Sequence, residues 1–273
     1  MRGLQRAKLL HAPDRLMQPP TLVDIGINLA HDSYDVDRAE VVERAVAAGV
    51  RRMVVTGSSI EATEQAIAVC RQWPELMRAT AGVHPHHAVD FKPADAARLA
   101  ELMSDPLVTA AGECGLDYYR NFSSPAEQRP AFSKQLELAV RTGKPVFLHQ
   151  RDAHADFMAI LREFLPSLSQ CVVHCFTGTG AELDDYLAAG CHVGVTGWVC
   201  DERRGAELQR LVPRIPADRL MLETDGPYLL PRDLQPKPSS RRNEPKHLAH
   251  ILNVVSTLRS EPATEVAAAT TAN

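Results

Sequence analysis

At 273 residues, with 45% apolar and 23% charged side chains, the chain can bury the core of one large domain or two small ones and is not compositionally disordered. No apolar stretch approaches the roughly 18 residues that cross a bilayer, and Arg2, Arg6, Lys8 and Arg15 interrupt the N-terminus where a signal peptide needs an apolar run; the expected compartment is the cytoplasm. Thirty basic against 34 acidic residues give a formal charge of -4, which excludes the broad cationic surface of a non-specific duplex binder and leaves only local nucleic-acid contacts.

Residues 1–20 hold His11, Pro13, Pro19 and Pro20 without a sustained period. They read as a disordered extension, with Met17 as an alternative start, ahead of a folded domain over residues 21–273. From Thr21 onward, short β-branched or apolar runs alternate with longer segments of helical period, the pattern of parallel strands joined by helices. Strands are predicted at Leu22–Ile27, Arg51–Thr56, Arg78–Val83, Leu107–Ala111, Pro145–His149, Gln170–His174, His192–Thr196 and Leu220–Leu222. Ser58-x-x-Glu61 and Ser124-Pro125-Ala126-Glu127 read as capping boxes, the second with proline at the first helical position. Gly49, Gly143 and Gly190 mark helix ends. Eight strand-helix units in about 250 residues match a closed TIM (β/α)8 barrel, whose active sites lie at the C-terminal ends of the strands. A doubly wound sheet is the competing fold, but neither a Gly-x-Gly-x-x-Gly fingerprint nor a Walker loop supports it. The six cysteines form no Cys-x-x-Cys pair and read as buried thiols. An aromatic content of 5% speaks against a long stacking platform for single strands.

The residues that leave each strand carry the chemistry. The exits read Gly-Val-His84-Pro-His86, Gly-Glu113-Cys-Gly-Leu-Asp117, Phe-Leu-His149-Gln-Arg151-Asp152, Val-Val-His174-Cys-Phe-Thr-Gly, Gly-Val-Thr196-Gly-Trp198 and Leu-Glu223-Thr-Asp225-Gly-Pro. In a barrel these positions converge on one mouth, and convergent His, Glu and Asp are ligands for a divalent cation such as Mg2+, Mn2+ or Zn2+. Singly, Glu113, Asp117 and Asp152 could cap helices and Asp225 could form an Asx turn; together, four such residues on four strand ends exceed what packing explains. The remaining histidines, His11, His31, His87, His154, His192, His247 and His250, read as ordinary half-buried side chains. After the last strand, Pro231-Arg232 and Lys237-Pro-Ser-Ser-Arg241-Arg242-Asn-Glu-Pro245 offer arginine forks and hydroxyls suited to phosphate, or form a solvated linker.

These blocks, together with Thr-Gly-Trp-Val-Cys-Asp-Glu-Arg-Arg and Glu-Thr-Asp225-Gly-Pro-Tyr-Leu-Leu-Pro, resemble the TatD family of metal-dependent deoxyribonucleases from about Val23 to the last residue. The resemblance implies an amidohydrolase-like TIM barrel and a 3'-to-5' exonuclease acting with Mg2+ on single-stranded DNA or RNA ends, with a role in repair of oxidative DNA damage suggested by the family. It implies that Glu113, His149 and His174 bind metal and that Asp225 is a ligand or general base. Glu113 and Asp225 are then the catalytic residues. Arg151, Arg241 and Arg242 are expected at phosphate, Trp198 or Tyr228 at a terminal base, and His84 at the substrate. Many members carry Asp-x-His-x-His on the first strand; here the segment is Asp24-Ile25-Gly26-Ile27-Asn28, so one firm metal at Glu113, His149 and His174 and a weaker one near Asp225 are expected. The chain stops at Ala-Thr-Thr-Ala-Asn273, where the family continues its final helix, so a shortened C-terminal helix is expected, in a monomer. Two other functions fit a metal barrel: an amidohydrolase, lactonase or ester hydrolase acting on a small molecule or an aminoacyl-tRNA, and a metal-stabilised binding protein without turnover. The first of these commonly uses a modified lysine on the fourth strand, where this chain has Glu113.

Overall fold

The computed structural model describes residues 20–273; apart from Pro20, the expected N-terminal extension lies outside the described residues. Eight strands occur in chain order: β1 (Leu22–Ile27), β2 (Val50–Val55), β3 (Met77–Ala81), β4 (Val108–Asp117), β5 (Val146–Arg151), β6 (Cys171–Val173), β7 (His192–Val195) and β8 (Leu220–Leu222). Each pairs in parallel with the next, in the order β1 to β8. The connections carry α1 (Arg38–Ala47), α2 (Ile60–Gln72), α3 (Pro93–Met103), α4 (Pro125–Thr142), α5 (His154–Phe164), α6 (Gly180–Ala188) and α7 (Ala206–Leu211), and α8 (Leu248–Arg259) and α9 (Ala263–Ala272) follow β8. This is the expected (β/α)8 barrel. Among the described residues no helix is long and apolar enough to cross a membrane.

The ring is nearly closed where β8 meets β1. The Asp225 amide donates to Gly26 O at 2.8 Å and the Asn28 amide to Gly226 O at 2.9 Å. Buried Asp24 accepts the Thr224 amide at 2.9 Å and the Thr224 hydroxyl at 2.5 Å. On the far side of the same seam, Thr271 Oγ1 bonds Thr21 O and Asn273 Nδ2 bonds Ala217 O and Leu220 O, so α9 ties both edges. Ile25, Ala110 and Phe147 form a small apolar cluster with Val23, Val172 and Met221. Because β1 and β5 are not neighbours in the ring, this contact crosses the lumen and fills it; the larger core lies between strands and helices.

Local signals held with two shifts. Ser124 receives Glu127 at its amide, 2.7 Å, and Gly143 closes α4 at φ 68. In α2, however, the cap is Ser59, whose Oγ accepts the Ala62 amide at 3.0 Å, one residue later than expected. Strand β4 runs six residues past Ala111, so Glu113 lies within the strand and not after it. Gly115 permits this: its φ is 150, and a Cβ there would meet His149 O at 1.8 Å, an approach to β5 open only to glycine. The cysteines are all unpaired, with Cys175 half-buried and the rest buried.

Candidate active site

Extended β4 carries Glu113 to the middle of the barrel mouth, where three imidazoles meet one carboxylate oxygen. Glu113 Oε1 lies 2.8 Å from His174 Nε2, 3.0 Å from His149 Nδ1 and 3.4 Å from His84 Nε2. Each histidine stands toward the C-terminal end of a different strand, β3, β5 or β6, and two of the three are held from behind. The Val83 amide and carbonyl both bond buried Gln135 of α4, at 2.7 and 2.9 Å, fixing the backbone before His84. His174 Nδ1 lies 3.3 Å from Glu223 Oε2, and Glu223 Oε1 accepts the Cys175 amide at 2.5 Å. A carboxylate behind an imidazole sets which ring nitrogen faces the cavity.

His149 Nε2 is buried and has no hydrogen-bond partner, although Asp117 Oδ2 stands 3.4 Å away. Such orphaned atoms are rare in native interiors. Donor atoms of His84, Glu113 and His149 lie within 4.8 Å of one another, and with the adjacent His174 they form the mixed nitrogen and oxygen set that divalent cations take. The residues therefore fit a metal ion.

Burial works against charge on Glu113, but the His174 and His84 charges and hydrogen bonds from His149 and His174 hold it well below the usual carboxylate range. Burial opposes charge on His174 too; there Glu113 and Glu223 prevail and raise it well above an ordinary histidine. Burial moves His84 down to about 4, assisted by repulsion from His149 and His86. Asp225, which follows β8 at φ 53, is pushed up to about 7, first by burial and then by the Glu113 and Glu223 charges, against the pull of His174 and an Asn28 hydrogen bond. That bond runs from Asn28 Nδ2 to Asp225 Oδ1 at 3.1 Å.

A cavity of about 610 Å³ opens over this cluster. Glu113, His149, His174, Asp225, His84, Arg151, Trp198 and Tyr228, all expected at the site, line it. Arg241 and Arg242 do not. Arg242 turns away from the mouth, bonding both oxygens of Asp37 at 2.7 Å, Ser33 O at 2.6 Å and Glu244 Oε1 at 3.1 Å; its fork holds carboxylates of its own chain. Exposed Arg241 is not among the lining residues. His84, expected at the substrate, stands among the candidate ligands.

His86 and Asp117, among the strand-exit residues, also line the cavity, with His86 Nε2 bonding Asp117 Oδ2 at 2.9 Å. Arg120 and Phe122, not singled out from the sequence, stand at the rim. The motif Gly-Leu-Asp-Tyr-Tyr-Arg-Asn-Phe is the available signal, since three aromatics and an arginine in a loop after a catalytic strand are seldom there for packing alone. His154 and His250, read as ordinary half-buried side chains, each bond an aspartate, Asp185 at 2.8 Å and Asp233 at 2.7 Å, and the donor atoms of His250, Asp233 and Cys200 lie within 4.8 Å of one another.

Residues 23–273 match the model of the family described as TatD related DNase. A protein of Erwinia amylovora named 3'-5' ssDNA/RNA exonuclease TatD is 52% identical over 252 residues, covering 92% of this chain and 97% of that protein. One of the same name from Cronobacter turicensis is 55% identical, covering 92% and 95%. Among solved structures, a TatD family hydrolase from Entamoeba histolytica superposes with a TM-score of 0.85 at 26% identity, covering 93% of this chain and 97% of that one. The TatD homologue YJJV of Escherichia coli gives 0.84 at 26% identity, covering 92% and 95%.

Proposed function

The chain belongs to the TatD-related DNase family, and we propose that it is a metal-dependent 3'-to-5' exonuclease, removing terminal nucleotides from single-stranded DNA and RNA with Mg2+, for which Mn2+ or Zn2+ can substitute. The observation that carries this is the convergence of three strand-end imidazoles on Glu113 Oε1, beside an orphaned His149 nitrogen, at the floor of a cavity lined by arginine and aromatic side chains.

Glu113, His149 and His174, with His84 beside them, would hold the cation. When bound, a divalent ion lowers the pKa of its water toward about 7 and offsets charge on phosphoryl oxygens. The chain's own groups supply the rest. Asp225, with its carboxyl raised toward neutrality, matches the ideal of a base near the operating pH; it accepts the proton of the attacking water as the new bond to phosphorus forms and the bond to the preceding 3' oxygen breaks. Asn28 holds one Asp225 oxygen and fixes its orientation. Glu223 orients His174. Arg151 stands at the rim for phosphate, and Trp198 and Tyr228 offer faces for the terminal base.

A time course on a 5'-labelled single strand with Mg2+, Mn2+ or EDTA tests this. The expected result is a ladder shortening from the 3' end, abolished by EDTA and reduced at least about 100-fold in Glu113→Ala, the size of loss seen when metal-site partners are removed. Absence of cleavage by the folded, metal-loaded protein, or cleavage that persists in Glu113→Ala, overturns it.

A further inference from the structure

Among the described residues few large apolar side chains are exposed: Val36, Val89, Tyr119, Phe122 and Tyr228. All three aromatics stand at the cavity or one residue from its rim. Tyr119 and Phe122, 57% and 66% exposed, belong to the loop between β4 and α4, on the side of the mouth opposite Tyr228.

That loop is rigid where it matters. Asp117 Oδ1 accepts the amides of Tyr119 and Arg120 at 3.0 and 2.8 Å, and buried Gln128 donates to Asp117 O and Ser123 O at 2.9 and 2.7 Å. The backbone is held from below while the rings face water. Phe122 packs edge-on against His86, centroids 4.8 Å apart. The Arg151 guanidinium lies over the Tyr119 ring at 3.9 Å, with Arg120 at 5.8 Å. Neither arginine has a carboxylate partner among the described residues, so their charge is uncommitted, unlike that of Arg242. The groove that leaves the mouth on the other side, past Tyr228, contains Asp32 and Asp35, and its one arginine, Arg38, is already bonded to Asp35.

We propose that Tyr119, Phe122, Arg120 and Arg151 form a track for the nucleotides upstream of the scissile bond: the strand enters over the β4 and β5 loops, stacks on the two rings, and delivers its 3' end toward Trp198 and Tyr228. This rests on the exonuclease assignment. Two preorganised aromatic faces with adjacent free arginines are the combination that binds single strands without reading sequence, and the acidic groove repels the phosphates that would otherwise run that way.

Two measurements separate the track from the chemistry. The first is fluorescence anisotropy of labelled pentathymidylate in EDTA. Tyr119→Ala/Phe122→Ala is expected to weaken binding by about 5- to 150-fold per lost stack, and Arg120→Ala and Arg151→Ala each to lower the slope of log affinity against log salt by about 0.7; Val36→Ala, exposed on the β1–α1 loop and outside both the track and the cavity lining, is the control. The second is turnover with Mg2+ on strands of two to eight nucleotides, where the loss in the double variant is expected to grow with length and to appear in KM. A loss equal on dinucleotide and pentamer, or unchanged binding in the double variant, overturns the track. Length-dependent binding without turnover in wild type upholds the track and overturns the exonuclease; neither binding nor turnover overturns both.

Discussion

A methyl group placed on Gly26 would meet Glu223 Oε2 at 2.4 Å and Phe147 Cζ at 3.0 Å. A side chain at position 26 would thus push against the carboxylate that orients His174. Glycine at 26 is required here by close approach and not by conformation. Gly26→Ala is expected to destabilise the fold by about 1–3 kcal/mol through overpacking, read as a lower midpoint in urea, and to weaken metal binding by displacing Glu223. A variant with unchanged stability and metal affinity would show that Glu223 has another place to go. Glu223→Ala removes the partner of both the Cys175 amide and His174 Nδ1; metal affinity is expected to fall about 10- to 100-fold, measured by calorimetric titration.

The loop between β8 and α8 shows how one element can be misread from its composition. Lys237 to Pro245 looks like a phosphate clamp, yet Arg242 binds Asp37 and Glu244, and Arg44 of α1 binds the same two carboxylates at 3.0 and 2.8 Å. Four charges lace the last loop to the first helix. Asp37 is held down to about 2, first by its Arg242 hydrogen bond and against some desolvation. Because its folded value lies below its unfolded one, its contribution to stability is present above about pH 4 and is lost as pH falls toward 2. Urea midpoints at pH 7 and pH 3 should therefore differ more for wild type than for Asp37→Asn; equal differences would show that the network does not couple to folding. Arg242→Ala is expected to lower stability with little change in turnover, since its guanidinium faces away from the cavity.

For the whole molecule, the weak point of a ring is its closure, and here a buried polar pair helps to stitch it. Asp24 and Thr224 lie 200 residues apart, both fully buried. Thr224→Val leaves one Asp24 oxygen short of a donor in an apolar setting, a cost of about 1–3 kcal/mol, and because Asp225 is the next residue, turnover is expected to fall as well. Denaturation and initial rates on one preparation check both; loss of neither would mean the seam's other bonds suffice without the Asp24–Thr224 pair. What could be read from the chain without a fold is what local physics sets. The eight strands, the Ser124 cap, the Gly143 stop and the polar residues near each strand's C-terminal end follow from periodicity and turn chemistry, apart from the six-residue extension of β4. Residues 149 and 174 declared themselves because each ends an apolar run. Which donors touch was decided by barrel closure: that His84 joins Glu113, that Glu223 backs His174, that Arg242 is diverted to Asp37, and that Tyr119 and Phe122 stand exposed at the rim. These are contacts across tens to hundreds of residues, and a carboxylate or guanidinium carries no mark in its neighbouring sequence of which partner the closed ring will set within three ångströms of it.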